Sequence, residues 1–503
     1  MNHPSFESPT SRSVARAQTE VQTAITAMVG LATLSSQSLF DVERKLWTAS
    51  LALGRAIIAL FLTRAAANYC EQRYLHQGTS FVRTTDHVSM VATMFGKVSF
   101  SRPSGRAVSH ARGRLDLPVD RALGLCSNTS LGVMAAIAEL CARLAFASAR
   151  DVFASAHEWK PGQELVLRIV DTVGAHARPF LERVVALRAE TEGEILVIQV
   201  DGGGAPMLGA AELLRRRKPW KAVLNRAIKR TLKRQLQDPV LRHRRNPGEK
   251  SKNAKIAIIG VIYTLRVTSK GVEGPLNKRI IATFESHAAL FAWLYKDAVK
   301  RGYGRKTTLF LSDGAEAIWS QQQKYFPLAK GCLDWWHVLE KLWDAGACVH
   351  GGDRKKQFSW VMTQARRLRR NQVQAVLKEL AHAFRSIPRT GPGTKSKRAT
   401  LDKVQSHLHK HKDRMPYAEF RKQGWDIGSG VVEGAVRQLV RVRFDGPGMR
   451  WGRLRAELLL HLRCILLNGQ WADFVRYLAQ LAELTMASKP VRAVSHQAVR
   501  KAA

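Results

Sequence analysis

Apolar positions recur along this chain with two periods, and the chain changes character where one gives way to the other. From Val21 to Tyr74 the spacing is helical in an Ala- and Leu-rich stretch, which predicts antiparallel helices. Within Phe81–Arg106, VSMVATMFGKVSFSRP reads as two β runs broken at Phe95-Gly96-Lys97, a hairpin signal. Helical spacing resumes at Leu117 in PVDRALGLC, SLGVMAAIAELCARLAF, SARDVFASA and ELVLRIVDTVGAHA, with a break at Trp159-Lys160-Pro161-Gly162. Short helices parted by tight breaks fit a helix-turn-helix over 117–185, and they equally fit helices that only pack.

Strand patterns then take over. ILVIQV (Ile195–Val200) runs into Asp201 and three glycines, and KIAIIGVIYTLRV (Lys255–Val267) and KRIIATFE (Lys278–Glu285) add two more strands. HAALFAWLYKDAVKRGYG has helical period and stops at Gly302 and Gly304. Thr308–Leu311 is a short apolar run ended by Ser312-Asp313-Gly314, and Cys332-Leu333 leads to Asp334, two tryptophans, His337 and a helical VLEKLW. Three strands, a helix, two strands and a helix are the order of an α/β, ribonuclease-H-like core, antiparallel first and parallel after the helix. The core is predicted to be interrupted by an all-helical insertion and preceded by a mainly helical DNA-binding region.

The expected organisation is a disordered N-terminus (1–20), helices with a β-hairpin (21–116) and a helical, DNA-binding segment (117–185). The first part of the catalytic domain (190–343) carries a basic insert (213–255). A helical insertion (344–418) with a loop at Arg389–Arg398, the rest of the catalytic domain (419–484) and a basic tail (485–503) complete the chain.

Charge narrows the partners. The 80 Lys and Arg against 40 Asp and Glu give a net charge of +40, and a protein so basic repels itself unless it meets a polyanion. DNA is the leading partner. The run LLRRRKPWKAVLNRAIKRTLKRQ offers Arg215, Arg216, Arg217, Lys218 and Lys221 to phosphates, beside Trp220. Six cysteines without a CxxC pair predict reduced thiols and a cytoplasmic, nucleoid-associated protein. LALGRAIIALFL (Leu51–Leu62), short and carrying Arg55, is expected to be a buried helix rather than a membrane span.

Three carboxylates carry the chemistry. Asp201 and Asp313 follow strands, and Glu433 opens an amphipathic segment after Gly428-Ser429-Gly430. Taken singly, Asp before Gly is an ordinary turn and Glu at a helix start favours the macrodipole. Together they are what a two-metal phosphoryl-transfer site requires, with two Mg²⁺ (or Mn²⁺) ions as cofactors. Asp334 and His337, three positions apart, share a helix face, where His337 is expected to orient a carboxylate, donate to a phosphate or cap the helix. Arg437, Arg441 and Arg450, with Arg443 and Arg453, surround Glu433 as phosphate-binding candidates.

VDGGGAPM, LSDGAEAIW, CLDWWHVLEKL and GSGVVEG with GPGMRWGRLRAELLLHLR resemble, in order, the blocks of bacterial DDE-type insertion-sequence transposases, closest to the ISKra-like group and more distantly Mutator-like enzymes. The resemblance spans about Glu194–Trp471. It implies that Asp201, Asp313 and Glu433 take the DDE positions and that Asp334 and His337 take the (C/D)-x-x-H signature. It also implies the ribonuclease-H-like fold, and a homodimer or higher oligomer is the expected state on DNA. Relatives often carry zinc-binding cysteines after the hairpin; this chain has none there, and no zinc is expected. A nuclease on the same fold and a DNA-binding regulator derived from a transposase are the alternatives.

Overall fold

Ser38 accepts a hydrogen bond from the backbone of Asp41 at 3.2 Å and so caps the longest helix, Leu39–Ala67. The structure is a computed structural model that describes residues 9–33, 37–69, 71–76, 78–84, 86–108, 114–125, 128–183, 191–209, 254–446, 449–485 and 491–492. It divides into two units, Met1–Phe180 with Gly469–Ala503, and Leu181–Asn468.

In the first unit the helix Leu39–Ala67 packs one stripe inward. Leu62 and Ala66 join Val91, Val98, Phe100 and Val119 in a core, while Leu46, Trp47, Ile57 and Phe61 are exposed. The expectation of a buried helix is therefore corrected, because its neighbours cover only part of its circumference. Among the described residues it is the one helix long and apolar enough to cross a membrane. Gly54 lets the β-hairpin come close, since a β-carbon there would fall 2.2 Å from the Phe95 ring.

That hairpin pairs β3 (His87–Thr93) with β4 (Gly96–Arg102), closing Thr93 onto Gly96. Gly96 sits at φ +123, a conformation that favours glycine. A separate sheet of β1 (Arg73–His76), β2 (Thr79–Arg83), β5 (Gly105–Ala107), β6 (Arg114–Asp116) and β12 (Val491–Arg492) had no sequence signal, because its strands are too short to show a period. A helix also covers Pro9–Gly30, where disorder was expected over 1–20, and it buries Ala17. Short helices then fill Pro118–Glu182. The helix Trp471–Thr485 belongs to this unit and not with 419–468: its Phe474 and Tyr477 rings lie 5.2 and 5.5 Å from Phe180.

The second unit is a mixed α/β body. Its five-stranded sheet has the order β11-β10-β7-β8-β9. β7 (Ile195–Pro206), β8 (Ala254–Thr268) and β9 (Gly271–Thr283) are antiparallel, and β10 (Thr307–Ser312) and β11 (Lys330–Leu333) run parallel to β7. Alternate burial fails in these strands because both faces are covered: Leu196 through Val200 and Ala257 through Thr264 are all inside. The helix His287–Lys300 precedes β10 and buries Leu290, Phe291 and Leu294. A further helix that the sequence pattern did not suggest, Glu316–Tyr325, separates β10 from β11. The stretch from Trp335 to Lys422 is helical apart from its turns, and the expected loop ends early, at the start of the helix Thr394–Lys410.

Candidate active site

Register places the first three acids. Val200 pairs with Ser312 and Ser312 with Leu333. The next residue of each strand is an aspartate, so Asp201, Asp313 and Asp334 stand in one row across three parallel strands, about 4.8 Å apart from strand to strand. Asp201 is not at a strand end as the sequence suggested. β7 continues through Gly202–Gly204, because these glycines remain extended and paired to β8. Their lack of side chains has a use: a β-carbon at Gly203 would come within 3.0 Å of Val436 and Val440. Those valines lie at the end of the Glu433 helix and in the turn that follows it, so the glycine admits that segment onto β7.

Glu433 lies on the helix Gly430–Val436, which runs on through a π-turn, Arg437–Arg441, to Val442–Phe444. Arg463 donates to the carbonyls of Gln438 and Leu439 that this turn leaves open. Side chains from the rest of the unit hold the start of the helix. The backbone N–H of Val432 donates to Gln199 Oε1 at 3.0 Å, and Gln199 Nε2 donates to Tyr263 Oη at 3.0 Å. Tyr263 in turn donates to Asp426 at 2.9 Å. The backbone N–H of Ser429 donates to Asp334 Oδ1 at 2.6 Å, and the Ser429 hydroxyl donates to Glu433 at 2.8 Å.

Asp334 is the hub of this arrangement. It is fully buried, and its other oxygen accepts from the backbone N–H of His337 at 2.8 Å and meets His337 Nδ1 at 2.6 Å. Burial alone would raise the Asp334 carboxyl, but the hydrogen bonds from His337 and Ser429 outweigh it and hold it below the usual range. The same hydrogen bond lifts His337 to about 9, with the charges of Asp313 and Asp201 adding to it. The shift favours the imidazolium at neutral pH, with Nδ1 held against Asp334. Asp201 titrates above the usual carboxylate range, first because it is buried and then because Asp313 and Glu433 are near.

Ligand atoms of Asp334, His337 and Glu433 lie within 4.8 Å of one another. We read this as a hydrogen-bonded hub rather than a metal cage, because both Asp334 oxygens accept N–H groups and His337 turns Nδ1 to Asp334. The other acids, Asp201 and Asp313 with Glu433, do not close to within 4.8 Å of one another as the hub does, but they are near enough to feel one another's charge and offer only carboxylate oxygens. Asp201 Oδ1 accepts from the N–H of Gly202, Asp313 Oδ1 from that of Ala315 at 3.0 Å, and Glu433 Oε1 from Ser429. Each of the three keeps a second oxygen without a hydrogen bond among the described residues, the donor type Mg²⁺ and Mn²⁺ prefer.

The structure thus brings Asp201, Asp313, Asp334, His337 and Glu433 together. Arg437, Arg441 and Arg450 are exposed, the first two on the π-turn that follows Glu433. Arg443 is instead buried, its guanidinium 4.8 Å from the Trp451 ring centre. Arg215, Arg216, Arg217, Lys218 and Lys221 lie outside the described residues. Sequence reading missed Gln199, Tyr263 and Asp426. Gln199 had a signal, as the one polar residue inside an apolar strand, two positions before Asp201. Comparison with models of known protein families and with curated proteins finds no match to this chain.

Proposed function

We propose that the chain is a DDE-type transposase of an insertion sequence, acting on DNA through a ribonuclease-H-like core that Asp201, Asp313 and Glu433 serve. The observation that carries this reading is the meeting of two strand-borne aspartates with a glutamate from a helix more than a hundred residues further on. The strand order and the net charge of +40 support it as well.

Asp201, Asp313 and Glu433 would hold two Mg²⁺ or Mn²⁺ ions, which when bound supply Lewis-acid activation of water and neutralise charge on the scissile phosphate. In the first step water attacks phosphorus and the P–O3′ bond of the flanking strand or the element's end breaks, leaving a 3′-hydroxyl. In the second step that hydroxyl attacks a target phosphodiester, and one P–O bond forms as another breaks, so no covalent protein intermediate is needed. His337 offers a fixed positive charge beside the carboxylates, and Asp334 keeps its ring oriented. Arg437, Arg441 and Arg450 contact DNA phosphates, and the chain works on DNA ends as a homodimer or larger assembly.

The test is cleavage and joining of a labelled duplex carrying the ends of the flanking element, with Mg²⁺ or Mn²⁺. Asp201→Ala, Asp313→Ala and Glu433→Ala are each expected to lose both steps by at least ~10²-fold while still binding the duplex. Cutting without joining points to a nuclease instead. Binding without cutting, or normal cutting by the variants, removes the metal site and leaves a DNA-binding protein.

A further inference from the structure

A cavity of about 550 Å³ opens beside the Asp334–His337 turn, and the proposed metal chemistry does not use it. It lies where the start of the helix Trp335–His350 meets the segment Trp425–Val431, which leads into the Glu433 helix. Successive helix positions point about 100° apart, so the two tryptophans of the turn diverge. Trp335 is 2% exposed and Trp336 is 55% exposed. Trp336 lies against Gly428, where a β-carbon would fall 2.8 Å from its indole nitrogen. The second aromatic wall is Trp425, set edge-on to Phe420 at 5.2 Å between ring centres and carrying the Lys330 ammonium over one face at 5.0 Å, which leaves its other face for a ligand.

Two cations line the same cavity. Arg369 has its guanidinium 4.6 Å from the Trp335 ring centre, and Arg421 is exposed. Among the described residues neither has a carboxylate partner. The single acid in the lining is Asp426, whose Oδ2 is taken by Tyr263 and whose Oδ1 accepts no hydrogen bond from within the described chain. Two indoles suit a flat aromatic ligand, two unpaired guanidinia suit an anion attached to it, and one carboxylate oxygen suits an exocyclic N–H. A free phosphate would need no indoles, and an apolar peptide side chain would need no guanidinia. A nucleotide uses all three, with stacking as the sequence-tolerant part.

We propose that this cavity receives one unpaired nucleobase of the DNA end, stacked on Trp336 and Trp425, with its flanking phosphates on Arg369 and Arg421. The inference rests on the reading of the adjoining carboxylates as a DNA-processing site. It gives that site a means of gripping a strand next to the scissile phosphate, because Trp336 precedes His337 directly and Val431 stands two residues before Glu433.

The experiment compares binding of three fluorescent DNAs to the full chain: a blunt duplex, the same duplex with a short 3′ overhang, and that overhang made abasic. The wild type is expected to bind the intact overhang roughly ten-fold more tightly than the abasic one. The double variant Trp336→Ala/Trp425→Ala should bind the two equally, while its affinity for the blunt duplex stays at the wild-type level. Trp336→Phe, which keeps an aromatic face, should retain most of the difference, and 5-iododeoxyuridine in the overhang should crosslink to Trp336 or Trp425. Equal binding of intact and abasic overhangs by wild type, or a crosslink elsewhere in the chain, overturns the pocket. Base-dependent binding by a protein that never cuts leaves the pocket standing and sinks the transposase reading. Metal-dependent cutting without base dependence does the reverse, and failure to bind any DNA removes both.

Discussion

The two halves of the carboxylate set are positioned by different means. Asp201 and Asp313 are held by backbone pairing, since the Val200–Ser312 register fixes their alignment whatever their neighbours' side chains are. Glu433 is placed by side chains that reach across the sequence: Gln199 is 233 residues from Val432, and Asp334 is 95 residues from Ser429. A sheet register is shared among many hydrogen bonds, so no single substitution moves it. The Glu433 side depends on two or three polar groups, so substitutions that touch no substrate should misplace it.

The largest effect of that kind is expected at Asp334. Asp334→Ala leaves the N–H groups of Ser429 and His337 without their acceptor and strips the half-buried His337 ring of its fully buried partner. Because water can reach the His337 ring, the cost is set mainly by the buried N–H groups left without an acceptor, about 1–3 kcal/mol, and falls short of that of a fully buried ion pair. Denaturant unfolding should show a loss in that range, and on the proposed function cleavage should be lost as well. An unchanged midpoint would mean that the Glu433 segment is held by something other than this hub. Asp334→Asn keeps one acceptor and should recover part of the stability.

Gln199 gives a smaller and more selective effect. Replacing it by Leu leaves the Val432 N–H unpaired in the interior and takes from Tyr263 the donor it accepts, leaving only its bond to Asp426, at a cost of about 1–3 kcal/mol. Because the strand itself is unaltered, Asp201 and Asp313 should stay aligned and DNA binding should persist, while metal-dependent cleavage falls. A variant that binds and cleaves like wild type would show that Glu433 needs no help from β7.

This division also explains what could be read from the sequence. Strand-end aspartates are visible because an apolar run stops at an acid, and the order of strands and helices follows from the change of period. That Asp313 and Asp334 reach one sheet edge from neighbouring strands, with Asp201 on an earlier strand, follows from the same pattern, but the residue-by-residue register that aligns them and the continuation of β7 through three glycines do not. A buried polar residue such as Gln199 marks itself by its apolar neighbours but does not name its partner, which lies on another element. The helix Glu316–Tyr325 was missed because most of its side chains are polar and only Ile318, Trp319 and Gln322 are buried, too few to show a period. Trp335 and Trp336 are identical letters with opposite environments, and only the helix start at Trp335 separates them.

The smallest effect concerns the other end of the comparison, the turn that carries Asp313. His407, on the helix Thr394–Lys410, lies so close to Gly314 that a β-carbon there would fall 1.9 Å from its Cε1. Burial first, and then the charge of Lys341 and the neighbouring imidazole of His411, lower His407 to about 4, and its buried Nε2 has no hydrogen-bond partner among the described residues. The ring is neutral in the folded chain and takes up a proton near pH 6.5 once unfolded. Between these values the unfolded state binds more protons, so the stability this site contributes is complete above about pH 6.5 and is lost as pH falls toward 4. The ring is only partly buried, so solvent screening keeps the effect modest. Wild type should lose more melting temperature between pH 7 and pH 5 than His407→Leu does. Groups that titrate in both proteins, His337 among them, cancel in that difference. Parallel losses in the two proteins would mean that His407 is protonated in the fold, and that the Asp313 turn carries a cation where this structure places a neutral ring.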